Sequence, residues 1–157
     1  GGNLAAMLGT SAGDQFTEDL SLGNEAFSSA VLATVVWFPP VDFTTIEAEA
    51  EALGFIATTD LEDAYMGFPV EDDPEATARA NPTTYIDADD GAFLVQVGSA
   101  DPLIPYTQSE NFAAALSAEL GADRVTFELL EGASHGGGEF ESDDNLAQVL
   151  AFFNDHL

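Results

Sequence analysis

Two side chains in this sequence have the types and the placement to move a proton. Asp101 stands in Gly98-Ser99-Ala100-Asp101-Pro102-Leu103-Ile104-Pro105. His135 stands in Glu131-Gly132-Ala133-Ser134-His135-Gly136-Gly137-Gly138. Each segment comes after a short apolar run, Phe93-Leu94-Val95-Gln96-Val97 for the first and Val125-Thr126-Phe127-Glu128-Leu129-Leu130 for the second. Both runs read as strands, so the Asp and the His leave one edge of a sheet with a helix between them. An aspartate beside an imidazole fixes its tautomer and stabilises its cation, and the imidazole can then deprotonate a nucleophile. The glycines around His135 permit tight backbone of positive φ. Taken singly, Asp101 before Pro102 is an ordinary turn former and His135 an ordinary loop histidine. Their paired placement is what points to chemistry.

A nucleophile is harder to find. Gly9-Thr10-Ser11-Ala12-Gly13 fits G-x-S-x-G and makes Ser11 a formal candidate. A nucleophile elbow needs a strand before the serine and a helix after it. Here a helical pattern (Leu4, Ala5, Met7, Leu8, stopped by Gly9) comes first, and no periodic helix comes after. Ser11 therefore reads as a decoy. The chain has no cysteine, which excludes disulfides, thiolate metal sites and a cysteine nucleophile. Asp87-Ala88-Asp89-Asp90-Gly91 hints at a calcium loop, but the EF-hand spacing fails and Gly98 stands where the loop's Glu belongs. It reads as a solvated acidic turn, and no metal or cofactor site is expected.

The elements that must hold these residues alternate. Val31 to Phe38 is nearly continuous, apolar and β-branched, and reads as a strand buried on both faces. Asp42 caps a helix from Phe43 to Leu53, and short helical pieces fall near 60–66 and 74–80. Thr107-Gln108-Ser109-Glu110 is a capping box opening a helix that presents Phe112, Leu116 and Leu120 on one face. Ser142 caps a last helix whose apolar stripe is Leu146, Val149, Leu150, Phe153 and Leu157. Strands alternating with helices give an α/β class with a parallel sheet of about three strands. Ligand sites in such sheets lie beyond the carboxyl ends of the strands, where Asp101 and His135 stand.

Charge narrows the partners. The 157 residues carry 29 Asp and Glu against two bases, Arg79 and Arg124, for a net charge of −27. Nucleic acid and anionic membrane surfaces are excluded as partners, because both demand a basic footprint. No apolar run is long enough to span a bilayer, and the first residues lack the basic start and cleavage pattern of a signal peptide. A surface of one sign repels itself unless salt screens it, so the expectation is a salt-adapted protein. The 46% hydrophobic content still supplies a core.

Four segments together resemble the α/β-hydrolases, in particular the esterase/lipase group that is feruloyl or acetyl-xylan esterase-like. Gly1-Gly2-Asn3-Leu4-Ala5-Ala6 is similar to the stretch just after the serine in that family's G-x-S-A-G-G-[HN]-L-A. Val36-Trp37-Phe38-Pro39-Pro40-Val41-Asp42-Phe43 resembles its W-F-G-P-x-D-F. The Asp101 and His135 segments resemble G-x-x-D-P-x-V-P and G-x-x-H-G-G-G. The resemblance implies that Asp101 is the acid and His135 the base of a Ser-His-Asp triad acting on a small-molecule ester, with no cofactor. It also implies a serine two residues before Gly1, outside these residues, along with the upstream strands and oxyanion donors. Residues 1–157 are thus expected to be a single, truncated α/β-hydrolase domain, inactive or very weak alone. The first strand would lack its usual neighbour, and homo-oligomers through its open edge are expected.

Overall fold

The computed structural model describes residues 1–157. Three parallel strands form the sheet, β1 (Ala33–Trp37), β2 (Ala92–Gly98) and β3 (Val125–Leu130), in the order β1-β2-β3. Six helices flank them: α1 (Gly2–Thr10), α2 (Ile46–Ala52), α3 (Asp60–Met66), α4 (Pro74–Ala80), α5 (Tyr106–Leu120) and α6 (Asp143–His156). All three strands run the same way, so the loops that leave β2 and β3 open at one edge.

The central strand β2 is buried along its whole length. On one face Phe93 and Val95 pack with Ala6 of α1, Val36 of β1, and Phe112, Ala113, Leu116 and Leu120 of α5. The rings of Phe93 and Phe112 meet edge to face at 5.9 Å, the arrangement favoured by the aromatic quadrupole. On the other face Ala92 and Leu94 pack with Phe152 of α6. Apolar side chains on both faces are what a central parallel strand demands.

Several local expectations need correction. β1 buries only Thr34 and Val36 and leaves Ala33, Val35 and Trp37 half-buried, because it is an edge strand paired only with β2. Gly9 does not stop α1, which runs on to Thr10. A Cβ at Gly9 would stand 2.6 Å from the Phe93 ring and 2.7 Å from Thr34 Oγ1, so glycine there serves close approach of helix to sheet. The helix after Asp42 starts later, at Ile46, and the Asp42 carboxylate instead closes a turn by accepting from the Thr44 N–H at 3.0 Å.

The capping box at Thr107 is not formed. α5 begins at Tyr106 after Pro105, and Thr107 and Gln108 turn to Glu49 of α2 instead. Ser142 does cap α6, accepting from the Asn145 N–H at 3.2 Å. Yet α6 is rotated from the expected stripe. Leu146, Leu150 and Leu157 are exposed, while Asn145 and Phe152 are buried and Val149 and Phe153 line the sheet. The rotation is set by Asn145, whose amide reaches Gln96 in the sheet.

Candidate active site

The Asp101 loop and the His135 loop are knitted together before any side chain is considered. The Ala100 N–H donates to the Ala133 carbonyl at 3.0 Å and the Ser99 N–H to the Leu130 carbonyl at 3.0 Å. The Gly132 N–H in turn donates to Ser99 Oγ at 2.8 Å. Gly136 and Gly137 take φ of 84° and 110°, a region L side chains rarely enter. This reversal turns the His135 imidazole back toward the Asp101 loop.

There His135 Nδ1 lies 2.8 Å from Asp101 Oδ2. The Asp101 side chain is fully buried and that of His135 is one-third exposed. The other carboxylate oxygen, Oδ1, accepts from the Leu103 N–H at 2.8 Å and the Ile104 N–H at 3.0 Å. Three bonds thus fix the carboxylate in one orientation. A carboxylate only accepts, so Nδ1 carries the hydrogen and Nε2 remains the basic atom. The arrangement can take a proton at Nε2 and stabilise the resulting cation through Asp101.

Buried amides position the loops from below. Gln96, in the middle of β2, accepts from Trp37 Nε1 at 2.6 Å and donates to Glu128 at 2.7 Å and Asn145 Oδ1 at 2.6 Å. Asn145 also donates to the Phe140 carbonyl at 2.8 Å, which ties the end of the His135 loop to the sheet. The segment after β1 is stapled in the same way. Gln108 Oε1 accepts from the Val41 and Asp42 N–H groups at 3.0 and 2.9 Å, and Asn3 donates to the Pro40 carbonyl at 3.1 Å. Phe38 holds a left-handed φ of 41°, and its ring centre lies 4.4 Å from that of His135. Such backbone costs on the order of 1–3 kcal/mol and persists only where its surroundings impose it. Here the Phe38 N–H is fixed by the Gln96 carbonyl at 2.7 Å, and the ring packs edge-on against Phe140 at 4.9 Å.

A cavity of about 200 Å³ opens beside His135. Phe38, Pro40, Leu61, Leu103 and Ile104 give it apolar walls, and Gly1, Gly2 and Glu62 complete it. Burial pushes the Glu62 carboxyl above the ordinary carboxylate range. Ser11 is not brought to this place. It sits at the far end of α1 from Gly1, roughly 13 Å of helix rise away, and its hydroxyl donates to the Met7 carbonyl at 2.7 Å. The Asp87–Gly91 turn is likewise remote from the pair. It is less solvated than its composition suggests: Asp90 is buried, its carboxylate accepts from the Asp87 N–H, and Arg124 holds its carbonyl at 2.9 Å.

A family model, BD-FAE, matches residues 1–116. The chain belongs to the BD-FAE family. The match takes in the Asp101 loop and ends within α5, before His135. Esterase LipQ of Mycobacterium tuberculosis is 32% identical over 135 residues, which are 86% of this chain and 30% of LipQ. Among solved structures, the bifunctional GH43-CE of Bacteroides eggerthii is 32% identical with a TM-score of 0.76, covering 99% of this chain and 20% of that one. A truncated form of a carbohydrate esterase from gut microbiota gives a TM-score of 0.75 over 99% of this chain and 56% of that one. At 24% identity that likeness concerns the fold alone. The BD-FAE chain is therefore a partial α/β-hydrolase fold of the esterase group, spanning less than a third of LipQ's length.

Proposed function

We propose that this chain carries the acid and base of a carboxylic ester hydrolase of the serine type. The observation that supports this reading is the 2.8 Å bond between Asp101 Oδ2 and His135 Nδ1 at the rim of a cavity. In this reading His135 Nε2 takes the hydrogen of a serine hydroxyl as the oxygen attacks the ester carbonyl. The imidazolium then returns a proton to the departing alcohol, which leaves an acyl-enzyme. Water repeats the sequence and releases the acid. In this reading neither the nucleophile nor the oxyanion donors come from Ser11 and its surroundings, at the far end of α1. Both belong to polypeptide outside residues 1–157, joined to Gly1 or supplied in trans, and Gly1 and Gly2 line the cavity where they are needed.

The substrate class is a small-molecule carboxylic ester. The test is to mix the chain with an N-terminal half of the fold, taken from a BD-FAE relative, that carries the serine and oxyanion donors. Hydrolysis of p-nitrophenyl acetate is expected on mixing and only faintly from this chain alone. A second reading, an inactive folding and association module, draws support from β1. That strand pairs only with β2, and Leu4 and Leu8 of α1, the helix packed on it, and Leu32 just before it stand exposed. Failure of every N-terminal half to restore hydrolysis would favour it. In either reading the near-total loss of bases belongs to a salt-adapted surface.

A further inference from the structure

Phe38 stands just past β1 with a backbone φ of 41°, where a bulky side chain is an outlier and a glycine would sit freely. Pro39 follows and disfavours right-handed helical backbone at Phe38 as well. The chain turns here, yet it keeps a large ring at the turn. That ring lies 4.4 Å from the His135 imidazole, centre to centre, and is tilted from it by 51°. Its far edge approaches the reversal after His135, so that a Cβ at Gly136 would stand 3.7 Å from Phe38 Cζ. The rings run in series: Trp37 to Phe140 at 5.5 Å, Phe140 to Phe38 at 4.9 Å, then Phe38 to His135. Both ends of the series are fixed, because Trp37 Nε1 donates to Gln96 and His135 Nδ1 to Asp101. The bond to Asp101 holds the imidazole at one atom, and one-third of that side chain is exposed. A ring held at one atom can still rock about it.

We propose that Phe38 is a positioning residue for His135, its ring fixing the imidazole plane that the single bond to Asp101 leaves free. The left-handed backbone at Phe38 is what brings the ring against the imidazole. The catalytic consequence rests on the ester-hydrolase reading, so the deciding measurement needs no turnover. Proton NMR of the intact chain follows the His135 Nδ1 hydrogen and its exchange with water. The chain has two histidines, and His156→Gln assigns the signals. Phe38→Leu is expected to speed that exchange about threefold to tenfold, the scale of one aromatic contact, and Phe38→Tyr to leave it near wild type. Phe38→Gly removes the ring and the backbone strain together. It should speed the exchange as much as the leucine variant does, while unfolding at a higher urea concentration than Phe38→Ala. With a serine-bearing N-terminal half added, Phe38→Leu should lower kcat by a similar factor. Wild-type exchange in both the leucine and glycine variants, or exchange in the tyrosine variant as fast as in the leucine one, would overturn the proposal. If no mixture hydrolyses ester, the ester-hydrolase reading fails and the exchange rates still decide the role of Phe38.

Discussion

Gly98 and Ala133 are packed so closely that no side chain fits between them. A Cβ at Gly98 would stand 2.1 Å from the Ala133 carbonyl oxygen. That oxygen also accepts the Ala100 N–H. This contact sets the spacing of the two loops that carry Asp101 and His135. The variant Gly98→Ala must push them apart. It is expected to cost about 1–3 kcal/mol of stability, the usual penalty of overpacking. The displaced pair should lower kcat/KM in the complemented esterase assay by about a hundredfold. Urea unfolding and initial rates measure the two effects separately.

The amide pair below the loops makes a double-mutant prediction. Asn145→Ala leaves Gln96 short of partners and frees the Phe140 carbonyl in a buried place. The expected cost is about 1–3 kcal/mol. Replacing both residues by leucine removes both sides of the Gln96–Asn145 bonds together and should cost less than the sum of the two single leucine variants. Chemical denaturation of the four proteins gives the coupling. Strict additivity would contradict the shared network.

Asp90 makes a pH prediction of definite sign. Burial pushes its carboxyl up to about 6 from an ordinary value of 3.8. The folded state then holds the proton more tightly than the unfolded one between those values. Folding stability from this group is fully present below the lower value and is lost as pH rises through the higher one. The loss approaches about 3 kcal/mol at neutral pH. Asp90→Asn keeps an acceptor for the Asp87 N–H without the charge. It is expected to stabilise the protein at pH 7 and to change little at pH 3. A gain of equal size at both would contradict the assignment.

A net charge of −27 and the unpaired side of β1 predict how the chain answers to salt. Raising potassium chloride from roughly 0.1 M to about 2 M shortens the Debye length to a few ångströms. The unfolding midpoint should rise and the chain should associate through β1. Light scattering and thermal unfolding across the series check both. Greater stability at the low end, or a monodisperse monomer throughout, would contradict them.

The sheet was legible because its strands are short apolar runs bounded by Pro39, Gly98 and Glu131, and β3 begins and ends where its run does. The meeting of Asp101 and His135 was legible for the same reason: each comes after a strand, and parallel strands deliver their loops to one edge. What the pattern hid was tertiary choice. Thr107 and Gln108 have the spacing of a cap, but Gln108 reaches the backbone of Val41 and Asp42 instead. The last helix was read by its leucines, yet one amide at Asn145 sets its rotation. Gln96 did leave a signal, a lone amide within an apolar strand. Glu62 and the left-handed Phe38 left none, because burial and backbone conformation there are imposed by residues far apart in the chain.

The central claim is that His135, held by Asp101, is the base for ester hydrolysis. The direct measurement is kcat/KM for p-nitrophenyl acetate with the wild-type chain and with His135→Gln, each mixed with the same serine-bearing N-terminal half. The wild type is expected to gain activity on mixing, and the variant to fall about 10³-fold or more below it. Activity in His135→Gln within tenfold of wild type, or none from the wild type with any such half, would contradict the account.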